Sequence, residues 1–205
     1  MIAKICGLQS VEAAQQAVDN GADLIGVICV PNRKRTVDPE IARSISKICH
    51  GTGTRLVGVF RNQPKEEVRQ LAQEYELDVV QLHGDEDWQE YASYVGLPLL
   101  KRVVFPRDVS LVSQMDGEVC TPLFDSEAGG SGEKLDWQAI GSWFQDSQLT
   151  RGYLLAGGLS PDNVVEALRV PGVVGVDVSG GVETDGTKDL AKIKQFLELY
   201  KVNVN

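Results

Sequence analysis

The sequence predicts an α/β protein whose eight parallel strands close into a single (β/α)8 barrel. Short apolar runs rich in β-branched residues alternate with helical patterns from one end of the chain to the other. Most of these runs are almost continuously apolar, which is typical of parallel strands covered on both faces. Eight strand–helix units in 205 residues fit a small barrel with short loops. An open doubly wound sheet is the alternative, and it usually has fewer strands.

The predicted strands are spaced along the whole chain. They are AKIC (3–6), LIGVICV (24–30), RLVGVF (55–60), VVQLH (79–83), LLKRVVF (99–105), TPLFD (121–125), GYLLA (152–156) and GVDVS (175–179). No linker or low-complexity stretch divides them, and the strand–helix unit is the only repeat. We therefore expect one domain over residues 1–205.

The first helix signal follows the first strand. Ser10 can cap a helix that carries Val11, Ala14 and Ala17, with Gly21 just past its end. Residues three positions apart on a helix share a face, so these apolar side chains predict the buried side.

Proline marks several of the later helix starts. Asp38-Pro39 and Ser160-Pro161 each place a capping residue before a proline, and Pro64 begins a third helix. The fifth and sixth helices are weaker, and VSLVSQM and LDWQAIGSW are consistent with single turns. The last helix carries an apolar stripe formed by Leu190, Ile193, Leu197 and Tyr200.

The charge of the chain argues against some classes of partner. With 29 acidic and 20 basic residues, the formal net charge is −9. Such a field repels phosphate backbones, so we expect no nucleic-acid partner. The local exception is PNRKRTV, where Arg33, Lys34 and Arg35 cluster. This cluster is either a solvated loop or a receptor for one small anion.

The cysteines Cys6, Cys29, Cys49 and Cys120 form no C-x-x-C pair, and the two histidines add no metal-ligand spacing. We therefore expect no metal. We also expect no signal peptide, and the apolar run LIGVICV is far shorter than a membrane span. Free thiols in such a chain favour a reducing, cytoplasmic setting.

The carboxyl ends of the strands converge on one face of a barrel, where active sites form. Cys6 ends the first strand, and it is either a small buried hydrophobe or a reactive thiol. Asp125 ends the sixth, as a loop aspartate or as an acid kept protonated by poorly solvated surroundings. Together they can act as base and acid. Arg35, Arg61 and His83 reach the same rim, and a single histidine there is as often structural as catalytic.

Two glycine clusters follow the last two strands. Gly157-Gly158 and Gly180-Gly181 stand where phosphate commonly binds in barrels, through backbone N–H groups. Turn glycines are the alternative, but two clusters at these positions favour phosphate. A third glycine-rich loop, EAGGSGE (127–133), is a candidate cover over the site.

These motifs resemble one known family. KICGL, VGVFRNQ, DVVQLHGDE, LFDSEAGGSG followed by LDW, LAGGLSPDNV and GVDVSGGVE are similar to phosphoribosylanthranilate isomerases, in the same order, from about residue 3 to residue 198. PNRKRTVDP and QPKEEV are most similar to the fungal members. The departures are small, since the family more often has threonine at Ser131 and phenylalanine at Leu135.

The resemblance implies a cofactor-independent Amadori rearrangement of a phosphosugar, N-(5′-phosphoribosyl)anthranilate, in tryptophan biosynthesis. It implies that Asp125 protonates the ring oxygen, that Cys6 removes the C2 proton and that Arg35 meets the anthranilate carboxylate. We expect Lys4 to point the wrong way to help the thiol, and we expect a monomer rather than a homodimer. The residues expected to contact the substrate are Arg35, His83 and Asp177, and those expected to bind its phosphate are Gly157, Gly158, Ser179, Gly180 and Gly181.

Two other functions stay open at this point. Indole-3-glycerol-phosphate synthase is another phosphate-binding barrel, and it would need a catalytic lysine at a strand end, for which Lys101 is the candidate. The KICG and LFDS elements argue against it. A phosphosugar sensor without chemistry would keep the glycine loops but would not need Cys6 and Asp125.

Overall fold

Eight parallel strands form a closed barrel, as the sequence predicts. The computed structural model describes residues 1–128 and 133–204. Each strand pairs with its neighbours in chain order, and the eighth closes on the first. Every predicted strand is present, with ends that differ by at most two residues. The strands are β1 (Ile2–Ile5), β2 (Leu24–Ile28), β3 (Arg55–Phe60), β4 (Val79–Leu82), β5 (Leu99–Val103), β6 (Cys120–Phe124), β7 (Tyr153–Leu155) and β8 (Val173–Val178).

Helices cover the outside of the barrel. In the described part of the chain the connection from β5 to β6 is a 3-10 helix, Val109–Gln114, so no α-helix forms from VSLVSQM. The α-helices are α1 (Val11–Asp19), α2 (Pro39–Cys49), α3 (Lys65–Glu74), α4 (Trp88–Val95), α5 (Trp137–Asp146), α6 (Val164–Ala167) and α7 (Leu190–Val204).

The predicted starts of α1 and α2 are confirmed. The Ser10 hydroxyl accepts a hydrogen bond from the backbone N–H of Ala13 at 3.2 Å. The Asp38 carboxylate accepts from the N–H of Glu40 at 2.8 Å, and Pro39 is the first residue of the helix. Each cap satisfies a backbone donor that has no partner within the helix.

Two details of the predicted helices are wrong. Val11 is 43% exposed, and Ala13 takes its place on the buried face of α1. Ser160-Pro161 does not begin an α-helix, because the Asn163 side chain accepts from the N–H of Ser160 and donates to the carbonyl of Gly158. These bonds hold a turn, and α6 begins only at Val164.

The segment LDWQAIGSW forms more than a single turn. It lies in α5, which has ten residues and is capped by Asp136 through the N–H of Ala139. A glycine inside a helix usually weakens it. At Gly141, however, a Cβ would lie 2.8 Å from Cδ of Pro171, so the glycine allows the helix to pack closely.

The apolar core has two layers, because side chains alternate between the two faces of each strand. One layer packs between the strands and the helices. The other fills the floor of the barrel from inside, with one residue from each of several strands. The residues of this floor include Leu24, Val57, Val79, Leu100, Leu123 and Leu154.

Two residues further along three of the strands, the inward positions are polar. Gln81 follows Val79 on β4, and Asp125 follows Leu123 at the end of β6. Lys4 takes the same kind of position on β1, two residues after Ile2. These polar side chains are buried. The barrel therefore has an apolar floor and a polar mouth, and the mouth is where a site can form.

A small hairpin follows β8 beside the mouth. A 3-10 turn, Gly180–Val182, leads into two short antiparallel strands, β9 (Glu183–Thr184) and β10 (Thr187–Lys188). Asp185 and Gly186 connect them with φ of 52° and 76°. An Asp-Gly pair is well suited to such a two-residue turn, because both central residues need positive φ.

Candidate active site

One cavity at the carboxyl ends of the strands gathers every residue that the sequence assigns to the site. Its volume is about 330 Å³. Arg33, Lys34 and Arg61 also line it. The predicted site residues in its wall are Cys6, Arg35, His83, Asp125, Gly157, Gly158, Asp177, Ser179, Gly180 and Gly181. Their roles stay predictions, for which the contacts below give the geometry.

The sequence left two alternatives for Cys6, a small buried hydrophobe and a reactive thiol. The structure shows features of both. Only 6% of the residue is exposed, yet its side chain lines the cavity. Burial raises the pKa of the Cys6 thiol, while the ammonium of Lys4 acts in the opposite direction. The balance of these effects is a raised pKa for Cys6.

Lys4 does not point away from the site, so that expectation is wrong. Residues two apart on a strand face the same side, and Lys4 therefore points inward with Cys6. Its Nζ donates to Oδ1 of Asp177 at 3.1 Å and to Oδ2 at 3.0 Å. Burial disfavours the ammonium, but Asp177 and Cys6 together keep the pKa of Lys4 above its ordinary value.

Each carboxylate oxygen of Asp125 has a polar neighbour. Oδ1 accepts from the N–H of Ser126 at 2.7 Å, and Oδ2 lies 3.3 Å from Nε2 of His83. Gln81 Nε2 lies 3.1 Å from Nδ1 of the same ring. Since the amide donates to Nδ1, the ring proton is on Nε2 and faces Asp125. The buried Oε1 of Gln81 has no hydrogen-bond partner among the described residues.

Arg35 is held in a fixed orientation by Glu183. Its Nε lies 2.8 Å from Oε1 and its Nη2 lies 3.0 Å from Oε2, a bidentate ion pair. Lys188 donates to the same Oε1 at 2.7 Å and to the carbonyl of Ser179 at 2.8 Å. Burial opposes the charge of Glu183, but Arg35 and Lys188 lower its pKa to about 2. One carboxylate thus links the arginine loop to the loop after β8.

The two glycine loops touch each other at the cavity wall. A Cβ on Gly181 would lie 1.7 Å from the carbonyl oxygen of Leu159, so only glycine fits there. Gly157 and Gly158 have φ of 81° and 66°, which other residues rarely adopt. At Gly180 a Cβ would meet only Nη2 of Arg35, at 3.4 Å. These backbone positions leave room for a ligand between the loops.

The loop proposed as a cover lies partly outside the described residues, which omit 129–132. Two arginines hold the residues just before the omitted stretch in place. Nη1 of Arg102 donates to the carbonyl of Glu127 at 2.8 Å, and Nη1 of Arg61 donates to the carbonyl of Ala128 at 3.4 Å. Ala128 also lines the cavity.

Sequence reasoning missed four residues around the cavity: Lys4, Gln81, Glu183 and Lys188. A signal existed for two of them. Lys4 and Gln81 occupy inward strand positions that the two-residue alternation identifies. Glu183 and Lys188 lie in the hairpin after β8, and no local pattern relates them to Arg35.

The alternative reaction that needs a catalytic lysine loses support. Lys101 donates to the carbonyl of Gly84 at 2.7 Å and pairs with Glu86 at 3.4 Å, away from the cavity wall. It is therefore poorly placed as a catalytic lysine.

The described residues contain no cluster of side chains suited to a metal ion. They also contain no helix with the length and apolar character needed to cross a membrane.

The fold and the site define a (β/α)8-barrel enzyme with a buried acid, a buried thiol and fixed cations around one cavity. Comparison with known proteins gives the family. Residues 3–199 match the family described as N-(5'phosphoribosyl)anthranilate (PRA) isomerase. The isomerase of that name from Saccharomyces cerevisiae is 55% identical over 208 residues, covering 96% of this chain and 93% of its own length.

Solved structures agree with this comparison. Phosphoribosyl anthranilate isomerase from Thermus thermophilus has a TM-score of 0.85 and 33% identity, with 98% of this chain and 99% of that chain covered. A second isomerase was solved in complex with reduced 1-(o-carboxyphenylamino)-1-deoxyribulose 5-phosphate. It has a TM-score of 0.82 and 33% identity, with coverage of 98% and 100%. This chain belongs to the N-(5′-phosphoribosyl)anthranilate isomerase family, and the family predicted from its motifs is confirmed.

Proposed function

We propose that this site performs an Amadori rearrangement in which Cys6 is the base and Asp125 is the acid. The protein is an aldose–ketose isomerase that converts N-(5′-phosphoribosyl)anthranilate to 1-(2-carboxyphenylamino)-1-deoxy-D-ribulose 5-phosphate in tryptophan biosynthesis. The observation that carries the two roles is that a buried thiol and a buried carboxyl group face one cavity, lined also by Arg35 and two glycine loops.

In the first step Asp125 donates its proton to the furanose ring oxygen. The bond between C1 and that oxygen breaks, and the nitrogen lone pair forms a C1=N double bond with a positive charge. The aspartate becomes a carboxylate, whose oxygens already accept from the N–H of Ser126 and face the N–H of His83.

In the second step the thiolate of Cys6 removes the proton from C2. The electron pair of the C2–H bond forms a C1=C2 double bond, and the electrons of the C=N bond return to nitrogen. The resulting enolamine loses the proton of its C2 hydroxyl and gains one at C1, which gives the ketone. Since burial raises the pKa of Cys6, nearby positive charge is what makes the thiolate attainable. The iminium ion supplies such a charge and serves as the electron sink, so the reaction needs no cofactor.

We assign the two anionic groups of the substrate to different groups in the cavity wall. Arg35 is suited to the anthranilate carboxylate, and Glu183 fixes its Nε and Nη2. Backbone N–H groups at Gly157–Gly158 and Ser179–Gly181 are suited to the phosphate. The relative solved with a reduced carboxyphenylamino-deoxyribulose phosphate supports a ligand with both groups. We assign His83 and Asp177 to the sugar hydroxyls between them.

We also propose a setting for this activity. Residues 1–205 act as one domain, since the described helices and the strands β1–β8 all belong to one barrel. The exposed large hydrophobic side chains are few and scattered, which favours a monomer. The net charge of −9 argues against nucleic acid as a partner. Four buried free cysteines suit the reducing conditions of the cytoplasm.

Turnover of freshly made N-(5′-phosphoribosyl)anthranilate, followed by the loss of its fluorescence in the presence of EDTA, tests the proposal. We expect conversion that EDTA does not affect, and its loss in Cys6→Ala and in Asp125→Asn. Binding without conversion by the unaltered protein would instead indicate a phosphosugar sensor. Inhibition by EDTA would show that the chemistry depends on a metal ion.

A further inference from the structure

Lys4 is a fully buried lysine inside the barrel, with 0% of its surface exposed. Burying an ammonium group is costly, and an apolar side chain of similar length would fill the same space without that cost. The reaction steps above do not use Lys4. The question is which neighbouring group the charge of Lys4 acts on.

Two groups surround the ammonium. Asp177 accepts from Nζ at both of its oxygens, at 3.1 and 3.0 Å, which keeps the lysine charged and fixes its position. The second group is the side chain of Cys6, which interacts electrostatically with the ammonium. The ion pair therefore has a defined orientation relative to the sulfur.

Gly26 on the neighbouring strand shows how closely the two groups pack. A Cβ at this position would lie 2.8 Å from Sγ of Cys6 and 3.2 Å from Nζ of Lys4. The sulfur and the ammonium thus border the same small space, and a larger residue at position 26 would push them out of place. The glycine allows the lysine to stay against the cysteine.

We propose that Lys4 is a positioning residue for the base of the reaction: its ammonium, fixed by Asp177, holds a positive charge against the Cys6 sulfur and stabilises the thiolate. The inference rests on the proposed role of Cys6 as the base. Lys4 acts through Cys6 and needs no contact with the substrate. Asp177 then has a second role beside any contact with the sugar, as the partner that keeps Lys4 charged.

Other charges also face Cys6, so their effects have to be separated from that of Lys4. Lys188 from the hairpin favours the thiolate, and Asp177 opposes it. Among these groups Lys4 has the largest effect in favour of the thiolate. The titratable and charged groups around Cys6 are Lys4 on its own strand, Asp177 on β8, Lys188 on β10, Arg35 in the loop after β2 and Cys29 after β2.

The test measures the rate at which iodoacetamide alkylates Cys6 between pH 6 and pH 9.5, read by mass spectrometry of the peptide that contains it. Only the thiolate reacts, so the rate reports the thiolate fraction without any turnover. In Lys4→Met we expect the rate at pH 8 to fall about 10–1,000-fold, the effect of removing an opposite charge that shifts a pKa by about 1–3 units. Lys101→Met is the matched control, since it removes another buried lysine with its own carboxylate.

The double variant Lys4→Met/Asp177→Asn covers the case in which the single variant does not fold, because it leaves no unpaired buried charge. It should also react more slowly, since the lysine outweighs the aspartate at Cys6. An unchanged rate in either folded variant, or an equal fall in Lys101→Met, would overturn the proposal. Turnover by Cys6→Ala tests the role of Cys6 independently of the role of Lys4. If that variant is inactive while Lys4→Met alkylates normally, only the role of Lys4 fails.

Discussion

The Nε2 atom of His83 lies 3.3 Å from Oδ2 of Asp125, and Gln81 holds the other ring nitrogen of that histidine at 3.1 Å. This chain of contacts gives the ring one orientation and one tautomer, with a proton directed at the carboxyl group. In this account His83 is a neighbour of the acid and does not replace it. It can stabilise the carboxylate that remains once Asp125 has given up its proton.

We therefore expect His83→Ala to lower kcat about 10–100-fold, the value of one hydrogen bond to a charged group, with a smaller change in KM. Steady-state kinetics with N-(5′-phosphoribosyl)anthranilate measure both constants. His50→Ala is the control, because His50 is exposed on the end of α2. A large rise in KM with an unchanged kcat would leave His83 only its proposed contact with the sugar hydroxyls.

Arg35→Ala should mainly weaken binding. Loss of a charge-assisted contact to the anthranilate carboxylate costs about 1.5–3 kcal/mol, which corresponds to a rise in KM of about 10–100-fold. Arg43→Ala removes an exposed arginine that is paired with Glu74 on the outside of the barrel, and it should leave KM unchanged. If kcat collapses in Arg35→Ala while KM is normal, the arginine does not serve as a binding group.

Glu183 makes the stability of the protein depend on pH. Arg35 and Lys188 lower its pKa from 4.5 to about 2, so the folded state favours the carboxylate. Its contribution is fully present above about pH 4.5 and is lost as the pH falls towards 2. Glu183→Gln should lower the free energy of unfolding by about 2 kcal/mol at pH 7.

Urea denaturation of the wild type and of Glu183→Gln at pH 7 and at pH 3 measures this effect. The difference in the free energy of unfolding between the two proteins should be smaller at pH 3. Glu74→Gln breaks an exposed ion pair and should change stability by less than about 1 kcal/mol. A difference between wild type and Glu183→Gln that is equal at both pH values would show that the charge of Glu183 does not stabilise the fold.

Inorganic phosphate should compete with the substrate, and Gly180→Val should abolish this competition. The new side chain would project between Arg35 and the loop after β8, where a Cβ meets nothing closer than 3.4 Å, so the variant should fold. Gly53→Val is the control, since a Cβ there meets nothing within 4 Å. The inhibition constants of phosphate for the wild type, Gly180→Val and Gly53→Val measure this effect. Competition that persists in folded Gly180→Val would place the phosphate elsewhere.

The fold was largely predictable because parallel strands buried on both faces leave continuous apolar runs in the sequence. The predictions failed where tertiary contacts decide the local structure. Gly141 weakens the helical pattern of α5, but it permits close packing against Pro171, which no local window reveals. Asn163 holds a turn through the backbone of Gly158 and Ser160, and this turn replaces the expected helix start.

The site was predictable at the ends of the strands, where Cys6 and Asp125 interrupt apolar patterns. The link between Arg35 and Glu183 was not, because it joins residues 148 positions apart in the chain. The error over Lys4 was avoidable. Its spacing of two residues from Cys6 within one strand already places both side chains on the same face.

The most direct test of the acid–base assignment is kcat for Cys6→Ala and Asp125→Asn. A positioned base or acid contributes about 10²–10⁴-fold, so each folded variant should bind a product analogue yet turn over slower by about that factor. Cys6→Ser should also be badly impaired, since a hydroxyl is a poor substitute for a thiolate. The pH profile of kcat/KM should be bell-shaped. Asp125→Asn should lose the group that gives the basic limb of this profile. Near-normal kcat in Cys6→Ala would contradict the account and leave Cys6 as a buried hydrophobic residue.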